Sequence, residues 1–366
     1  MENLVNLKLI SEGTYGKVYN YKNKYAIKVE TEEGKEDNRL QNEQTLLRLC
    51  KGEGIPRIVS SDIINGEAYI KMPLLGLDIK ELYRRNGRKI SLKSTILFGI
   101  QALERLEHIH SKGVIHRDIK GENFCIGKED PTKIYLIDFG LSKLDIPQKK
   151  KAKDLSTSDE GFVGNLLFSC CDSHQYKSPT KNSDLESLCY LMIYLYRGSL
   201  PWEKDYMMTD EELQKVLYHA KKNKPITKLC KGFPREFHTF VEYIRDLGEK
   251  NSPDMRYLRN LLLKCLEKKD YSLDYSSFDW LNSASKKSSK RGRKLGASNK
   301  KRDEKLLSKK YLKNLDSTKG SDLIGIGDVQ INPNLETLKK EKQGTIKDRL
   351  RGRISKDDLA VLKIFK

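Results

Sequence analysis

The stretch from Val114 to Gly140 constrains the fold of this chain more than any other part of the sequence. It holds two short apolar runs, Asn123–Ile126 and Ile134–Ile137, joined by a turn that contains Gly, Asp and Pro. This pattern predicts a β-hairpin, and a hairpin brings its two outer ends together. Asn123 and Asp138 are therefore expected to lie side by side.

Polar residues with a defined spacing surround this hairpin. Asp118 lies on the loop before it, Lys120 and Asn123 follow, and Asp138 begins an Asp-Phe-Gly sequence. Two oxygen ligands that face one carboxylate and one lysine form a place for Mg²⁺ and a phosphoryl group. The spacing matches the H-R-D-x-K-x-x-N and D-F-G motifs of protein kinases. Either motif alone would be weak evidence, but both, in order and joined by a spacer that fits a hairpin, outweigh the alternative of polar turn residues.

A glycine-rich segment near the start of the chain gives independent support. Alternating apolar residues in Leu9–Lys28 predict two strands joined by a turn, with a third strand over Tyr25–Val29. Glycines at the turn let the backbone approach phosphate oxygens that a Cβ would block. Taken alone, a plain β-turn is the better interpretation, but the following Ala-Ile-Lys matches the V-A-I-K element. Ser11 replaces the first glycine of the kinase loop. The candidate ATP-binding residues are Ile10, Ser11, Gly13, Gly16, Val18, Ala26, Lys28, Glu43, Met72 and Leu75.

A lysine that holds phosphates needs a carboxylate partner. Asn38–Leu49 has leucines at helical spacing and Glu43 at its centre, so we assign the pair Lys28–Glu43. An exposed helix glutamate is the plain alternative for Glu43, and Glu36 is a poorer candidate for the partner.

Ala68–Gly76 is predicted to be a strand that runs into a connector. In a kinase this connector binds adenine through its backbone; Met72 would then close the back of the pocket, and the Pro73 carbonyl and Leu75 would offer the contacts. A buried strand end is equally consistent with these residues. Two longer helices are predicted over Ser94–His110 and Asp184–Tyr196, the second apolar all round and therefore central to a large core.

Composition limits what the chain can be. Its 366 residues suffice for a two-lobed domain and a tail. We expect no membrane span, secretory signal or C-terminal lipid anchor, because no matching segment occurs. Seven scattered cysteines indicate free thiols in a reducing compartment. A net charge of +19 suits anionic partners.

The chain resembles a eukaryotic-type protein kinase, and specifically casein kinase 1. The stretches that carry the resemblance are HRDIKGENF (116–124), KGEGIP (51–56), DLESLCY (184–190), RGSLPW (197–202) and LCKGFPREF (229–237). The last three are typical of that family rather than of kinases at large, and RGSLPW and LCKGFPREF favour it over the related vaccinia-like branch. The resemblance implies an α+β, bilobal kinase fold with a small β-rich N-lobe (1–75) and a larger α-helical C-lobe (76–282), with ATP in the cleft.

The resemblance also implies phosphorylation of Ser or Thr in acidic or already phosphorylated protein substrates. Asp118 would accept the hydroxyl proton, Lys120 would steady the transferred charge, and Asn123 and Asp138 would hold Mg²⁺. Lys28 and the glycine loop would orient the phosphates of ATP. Because every polar group that the chemistry needs is present, we expect an active enzyme that acts as a monomer.

Some positions depart from the family. Gly164–Asp172 reads GNLLFSCCD where the family usually has G-T-A-R-Y-A-S-I-N. Two basic positions of the family map onto Lys181 and Lys222, which resemble a site for an acidic or phosphate group on the substrate. Lys149–Lys153 adds positive charge near the same face. A solvated surface is the alternative for all of these lysines.

The composition changes at Ser283. Residues 283–313 hold thirteen Lys or Arg against two Asp or Glu, so this basic, largely irregular tail (283–366) cannot fold alone. Residues 286–310 resemble a nuclear import signal or a nucleic-acid patch, with a solubilising linker as the alternative. Ser355–Phe365 has the pattern of a short amphipathic helix. We expect a cytoplasmic or nuclear protein; the alternative function is a regulatory or scaffold protein that binds nucleic acid through this tail.

Overall fold

The structure of the protein is a computed structural model that describes residues 7–13, 16–31, 34, 38–64, 67–145, 162–203, 210–248 and 252–281. The predictions made for Glu36, for Lys149–Lys153 and for the tail 283–366, including its import-like segment and its terminal helix, lie outside these residues.

The first part of the chain forms a five-stranded antiparallel sheet. Its strands are β1 (Lys8–Gly13), β2 (Gly16–Tyr21), β3 (Tyr25–Glu30), β4 (Ser60–Ile64) and β5 (Glu67–Pro73), in the order β1-β2-β3-β5-β4. The three strands predicted around the glycine-rich turn are confirmed.

Helix α1 (Arg39–Leu49) packs against this sheet and confirms the helix predicted over Asn38–Leu49. Its buried side chains are Leu40, Leu46, Leu47 and, unusually for an acidic residue, Glu43. A charged side chain is almost never fully buried unless it is paired, so the position of Glu43 calls for a cationic partner.

Helices dominate the chain beyond the connector. They are α2 (Ile79–Arg85), α3 (Leu92–Ser111), α4 (Lys181–Arg197), α5 (Asp210–Lys222), α6 (Ile226–Leu229), α7 (Arg235–Asp246) and α8 (Met255–Glu267). Two small antiparallel pairs lie among them, β6 (Val114–Ile115) with β9 (Lys143–Leu144) and β7 (Phe124–Ile126) with β8 (Ile134–Leu136). A sheet lobe followed by a helical lobe confirms the predicted bilobal kinase fold.

Helices α3 and α4 are the centre of the helical lobe and pack against each other. The hydroxyl of Ser91 accepts a hydrogen bond from the Ser94 N–H and begins α3. A capping box of Thr180 and Ser183 begins α4, and Gly198, with φ of +85°, ends it. Both helices extend a few residues beyond the predicted bounds. Because α4 is surrounded by core on all sides, its apolar residues are almost fully buried, as predicted.

All seven cysteines are free thiols, and six of them are buried. Within the described ranges, none of the helices has the length and apolar character needed to cross a membrane.

Candidate active site

Asp118 lies on the loop between β6 and β7 and is held by two neighbours from the same loop. The Lys120 ammonium is 2.5 Å from Asp118 Oδ2, and Asn123 Nδ2 donates to the Asp118 carbonyl oxygen at 2.7 Å and to Oδ2 at 2.9 Å. The other carboxylate oxygen, Oδ1, is buried and has no hydrogen-bond partner. Since a buried acceptor without a donor is costly, this atom is available to a ligand that brings a hydroxyl group.

The backbone of this loop is fixed by a buried carboxylate from α4. Asp184, 1 % exposed, accepts hydrogen bonds from the N–H of His116 at 2.8 Å and the N–H of Arg117 at 2.9 Å. His110, at the end of α3, contributes a third contact, with Nε2 2.9 Å from Asp184 Oδ2. Arg117 has φ of +69°, which a non-glycine residue rarely adopts. The hydrogen bonds to Asp184 hold this backbone in place.

The predicted hairpin is formed by β7 and β8 and brings Asn123 next to Asp138. Phe124 pairs with Leu136, and the Ile137 N–H donates to the Asn123 carbonyl oxygen at 2.9 Å. Asp138 follows directly and has φ of +64°. The fully buried Phe139 ring meets the His116 ring edge-on, with centroids 5.2 Å apart. The hairpin ends and the Asp118 loop therefore form one packed unit.

Lys28 joins the two lobes. Its Nζ lies 2.6 Å from Glu43 Oε2 on α1 and 2.7 Å from Asp138 Oδ1 beyond the hairpin. Burial by itself would lower the pKa of Lys28, but the two carboxylates outweigh it and raise the pKa, so the side chain is an ammonium group. For Asp138, burial would raise the pKa, but Lys28 lowers it to about 2. Asp138 is therefore ionised at neutral pH.

Strand register places four candidate ATP-binding side chains on one face of the sheet. Val18 lies opposite Lys28, and Ala26 lies opposite Met72. Residues directly opposite in neighbouring strands share a face, as do residues two apart in one strand, so all four face the same way. A sequence argument could not have established this, because it depends on which strands pair.

The glycine-rich turn is formed by β1 and β2. Gly13 pairs with Gly16, and a Cβ added to Gly16 would lie 3.1 Å from the Val29 carbonyl oxygen and 3.2 Å from Lys28 Cε. The backbone thus passes directly over Lys28, as expected of a turn that must come close to phosphates. The ladder between β1 and β2 shifts register between Leu9 and Ser11, next to the position where serine replaces glycine. Ile10 is 48 % exposed and Leu75, just beyond β5, is half-buried.

These residues fit Mg²⁺ and a nucleotide. Both N–H groups of Asn123 face Asp118, so its amide oxygen is the atom left to bind a cation. The Asp138 side chain is 43 % exposed, so a cation can reach it. The described part of the chain contains no group of three or more His, Cys, Asp or Glu side chains that could hold a metal ion unaided. At nucleotide sites, Mg²⁺ commonly takes one or two oxygen ligands from the protein, and phosphate oxygens and water complete its coordination sphere.

The two lysines proposed for substrate binding lie at the ends of separate helices. Lys181 begins α4 and has its Nζ 3.9 Å from Asp145 Oδ2, and Lys222 ends α5 with its side chain exposed. Sequence reasoning missed the residue beside it: Lys221 is fully buried and bonds backbone carbonyls of the segment after Gly164. His110 is a second residue that no motif marks, and it reaches Asp184. Adjacent lysines look alike in sequence, so nothing there separates Lys221 from Lys222.

Comparison with known families agrees with this geometry. A family model described as a protein kinase domain matches residues 4–272, which is well over half of the chain. The chain therefore belongs to the protein kinase family.

Proposed function

We propose that this protein is an active serine/threonine kinase of casein kinase 1 type, which transfers the γ-phosphate of ATP to Ser or Thr in acidic or previously phosphorylated proteins. Membership of the protein kinase family implies protein phosphorylation. The observation that carries the proposal of activity is the Lys28–Glu43 ion pair with Asp138 beside it, since a protein kinase needs this pair and the aspartate of its D-F-G motif in place for transfer.

Each polar residue has a role on this proposal. Asp118 accepts the proton of the substrate hydroxyl on its unpartnered Oδ1 and orients the oxygen towards the phosphorus. Lys120, already in contact with Asp118, steadies the charge of the transferred group. Lys28 and the glycine turn hold the phosphates, and Asn123 and Asp138 bind Mg²⁺. When bound, Mg²⁺ neutralises charge on the ATP phosphates. Most of the rate then comes from positioning and charge stabilisation.

The narrower assignment rests on the family-specific stretches and on charge. Lysine two residues after Asp118 is the pattern of serine/threonine kinases, and the segments 184–190, 197–202 and 229–237 resemble casein kinase 1. We propose that Lys181 and Lys222 attract an acidic or phosphate group on the substrate. A lysine in this position keeps the charge but lacks the two-pronged geometry of arginine.

The experiment measures ³²P transfer from ATP to casein. Asp138→Asn and Lys28→Met should each leave a folded protein with almost no transfer. Two exposed residues give matched controls: Asp246→Asn on α7 and Lys215→Met on α5 make the same changes of charge outside the set of candidate site residues and should retain wild-type rates. Wild-type-like transfer by either site variant would overturn the assignment, and so would an inactive wild-type protein.

We also propose that the basic tail binds a nucleic acid or a nuclear import receptor. The kinase domain (1–75 and 76–282) would then act in the nucleus as well as, or instead of, the cytoplasm. Support comes from the charge excess of residues 283–313. Binding to nucleic acid should weaken with salt, with a log–log slope of about −0.9 for each phosphate neutralised. A flat response would refute nucleic-acid binding. If the biological role survives deletion of 283–366 but not Asp118→Asn, catalysis and not the tail carries the function.

A further inference from the structure

The residues 164–171, here called the platform segment, lie against the catalytic loop. Gly164 has φ of +115°, and a Cβ built on it would lie 2.7 Å from the Arg117 carbonyl oxygen, the residue immediately before Asp118. The platform segment therefore lies against the backbone that carries Asp118. Within it, the Asn165 carbonyl accepts hydrogen bonds from the N–H groups of Phe168 and Ser169, so the segment is a tight turn.

The platform segment is supported from behind by buried side chains of the helical lobe. Lys221 Nζ donates to the carbonyl oxygens of Leu166 at 2.8 Å and Ser169 at 2.6 Å. Between these, Trp202 Nε1 donates to the Leu167 carbonyl at 2.9 Å. Three backbone acceptors of one short turn are thus satisfied by two side chains from outside it.

Lys221 is fully buried at the end of α5, and its third bond goes to a histidine. His174 Nε2 lies 2.8 Å from Lys221 Nζ, and His174 Nδ1 lies 2.6 Å from Gln214 Oε1. Since Gln214 Oε1 can only accept and the lysine donates, the proton of a neutral His174 is on Nδ1. Burial, with Lys221 adding to it, lowers the pKa of His174 to about 3, which agrees with a neutral ring.

Three acceptors surround Lys221, and only the ammonium form has three N–H groups to match them. The rings of Tyr190 and Trp202 lie close by, each with its centroid 5.4 Å from Nζ, which favours a cation. Burial lowers the pKa of Lys221 to about 7, with Glu186, Cys171 and Cys170 opposing it and Arg245 adding to it. Burying an ammonium group costs free energy unless its N–H groups are hydrogen-bonded, so the three bonds that Lys221 makes are needed to keep it buried.

We propose that Lys221 is a positioning residue for protein substrates: its ammonium group fixes the platform segment in the conformation that a substrate peptide docks on beside Asp118. This role differs from that proposed for the exposed Lys222, which would contact the substrate directly. It rests on the protein kinase activity of the chain, but not on the casein kinase 1 assignment.

The test compares Lys221→Met with Lys215→Met, an exposed lysine of the same helix, under identical conditions. Methionine keeps the length of the side chain and removes all three donors. In Lys221→Met we expect the KM for casein to rise about tenfold or more, since hydrogen bonds from a charged group are lost. The KM for ATP and the slow hydrolysis of ATP without protein should stay within about twofold of wild type, because neither reaction uses the platform segment. Lys215→Met should match wild type in all three.

A loss of folding would instead lower every rate together. Hydrogen exchange of the amides of 164–171 provides a readout that needs no activity: it should accelerate in Lys221→Met and not in Lys215→Met. If Lys221→Met does not fold, Gln214→Leu, which removes the acceptor that orients His174, should show the same changes to a smaller degree. An unchanged KM for casein with unchanged exchange, in whichever of the two variants folds, would overturn the proposal. An inactive wild-type protein would instead refute the proposed function and with it the substrate-positioning role; the exchange experiment would then report whether Lys221 holds the platform segment.

Discussion

The substitution Asp184→Asn tests how the catalytic loop is held. The Asp184 carboxylate accepts three hydrogen bonds, one from Arg117 N–H on Oδ1 and two, from His116 N–H and His110 Nε2, on Oδ2. An asparagine of the same shape can keep its oxygen at the doubly bonded position. Its NH₂ group must then face the Arg117 N–H. Both groups are hydrogen-bond donors, so the bond that Arg117 N–H makes to Asp184 Oδ1 is lost.

The cost follows from that geometry. One charge-assisted hydrogen bond is lost, a change of about 1.5–3 kcal/mol, and the Arg117 N–H is left buried without an acceptor, which adds about 1 kcal/mol or more. We therefore expect the free energy of unfolding to fall by about 3 kcal/mol. Because Arg117 directly precedes Asp118, the displaced loop should also lower kcat, by roughly 10- to 100-fold.

Urea unfolding followed by tryptophan fluorescence gives the first quantity, and ³²P transfer to casein at saturating ATP gives the second. Asp246→Asn, at the exposed end of α7, is the matched control and should change neither. A free energy of unfolding within about 0.5 kcal/mol of wild type would refute the accounting of hydrogen bonds. Lost stability with a wild-type kcat would show that Asp184 stabilises the lobe without positioning the loop.

Three further predictions concern single positions. Gly54→Ala should lower Tm by about 5 °C, because Gly54 has φ of +70° and the new Cβ would clash with the Arg105 side chain; a calorimetric scan with an unchanged Tm would contradict this. Ser11→Gly should alter the KM for ATP only modestly, and a large loss of ATP affinity would mean that the glycine turn is misplaced. Lys28 lowers the pKa of Asp138 to about 2 from an ordinary 3.8, so the pair stabilises the fold above pH 3.8, and this stabilisation is lost as the pH falls towards 2. When the free energy of unfolding is measured from pH 5 down to pH 2, Asp138→Asn should therefore lose less stability than wild type. Equal losses in the two proteins would contradict the pairing.

Motif spacing predicted much of the site. The hairpin, the helix around Glu43 and the partner of Lys28 all follow from local periodicity and from the needs of phosphate chemistry, and the structure places Glu43 and Asp138 on either side of Lys28. The functional roles of these residues stay predictions until activity is measured. Two of the supports behind the site were not predicted, because nothing in the sequence indicated that His110 would reach Asp184 or that Lys221 would be buried while Lys222 is exposed.

The sequence by itself determined the class of fold and the set of reacting groups, because apolar periodicity fixes which elements form and motif spacing fixes which groups share a loop. Only the tertiary structure decided how those groups are held. Asp184 bonds a loop that lies 67 and 68 residues away along the chain, and Lys221 bonds carbonyls 52 and 55 residues away. A buried donor or acceptor must be satisfied by whatever partner packing brings near, and packing is a property of the whole core, which no local pattern encodes.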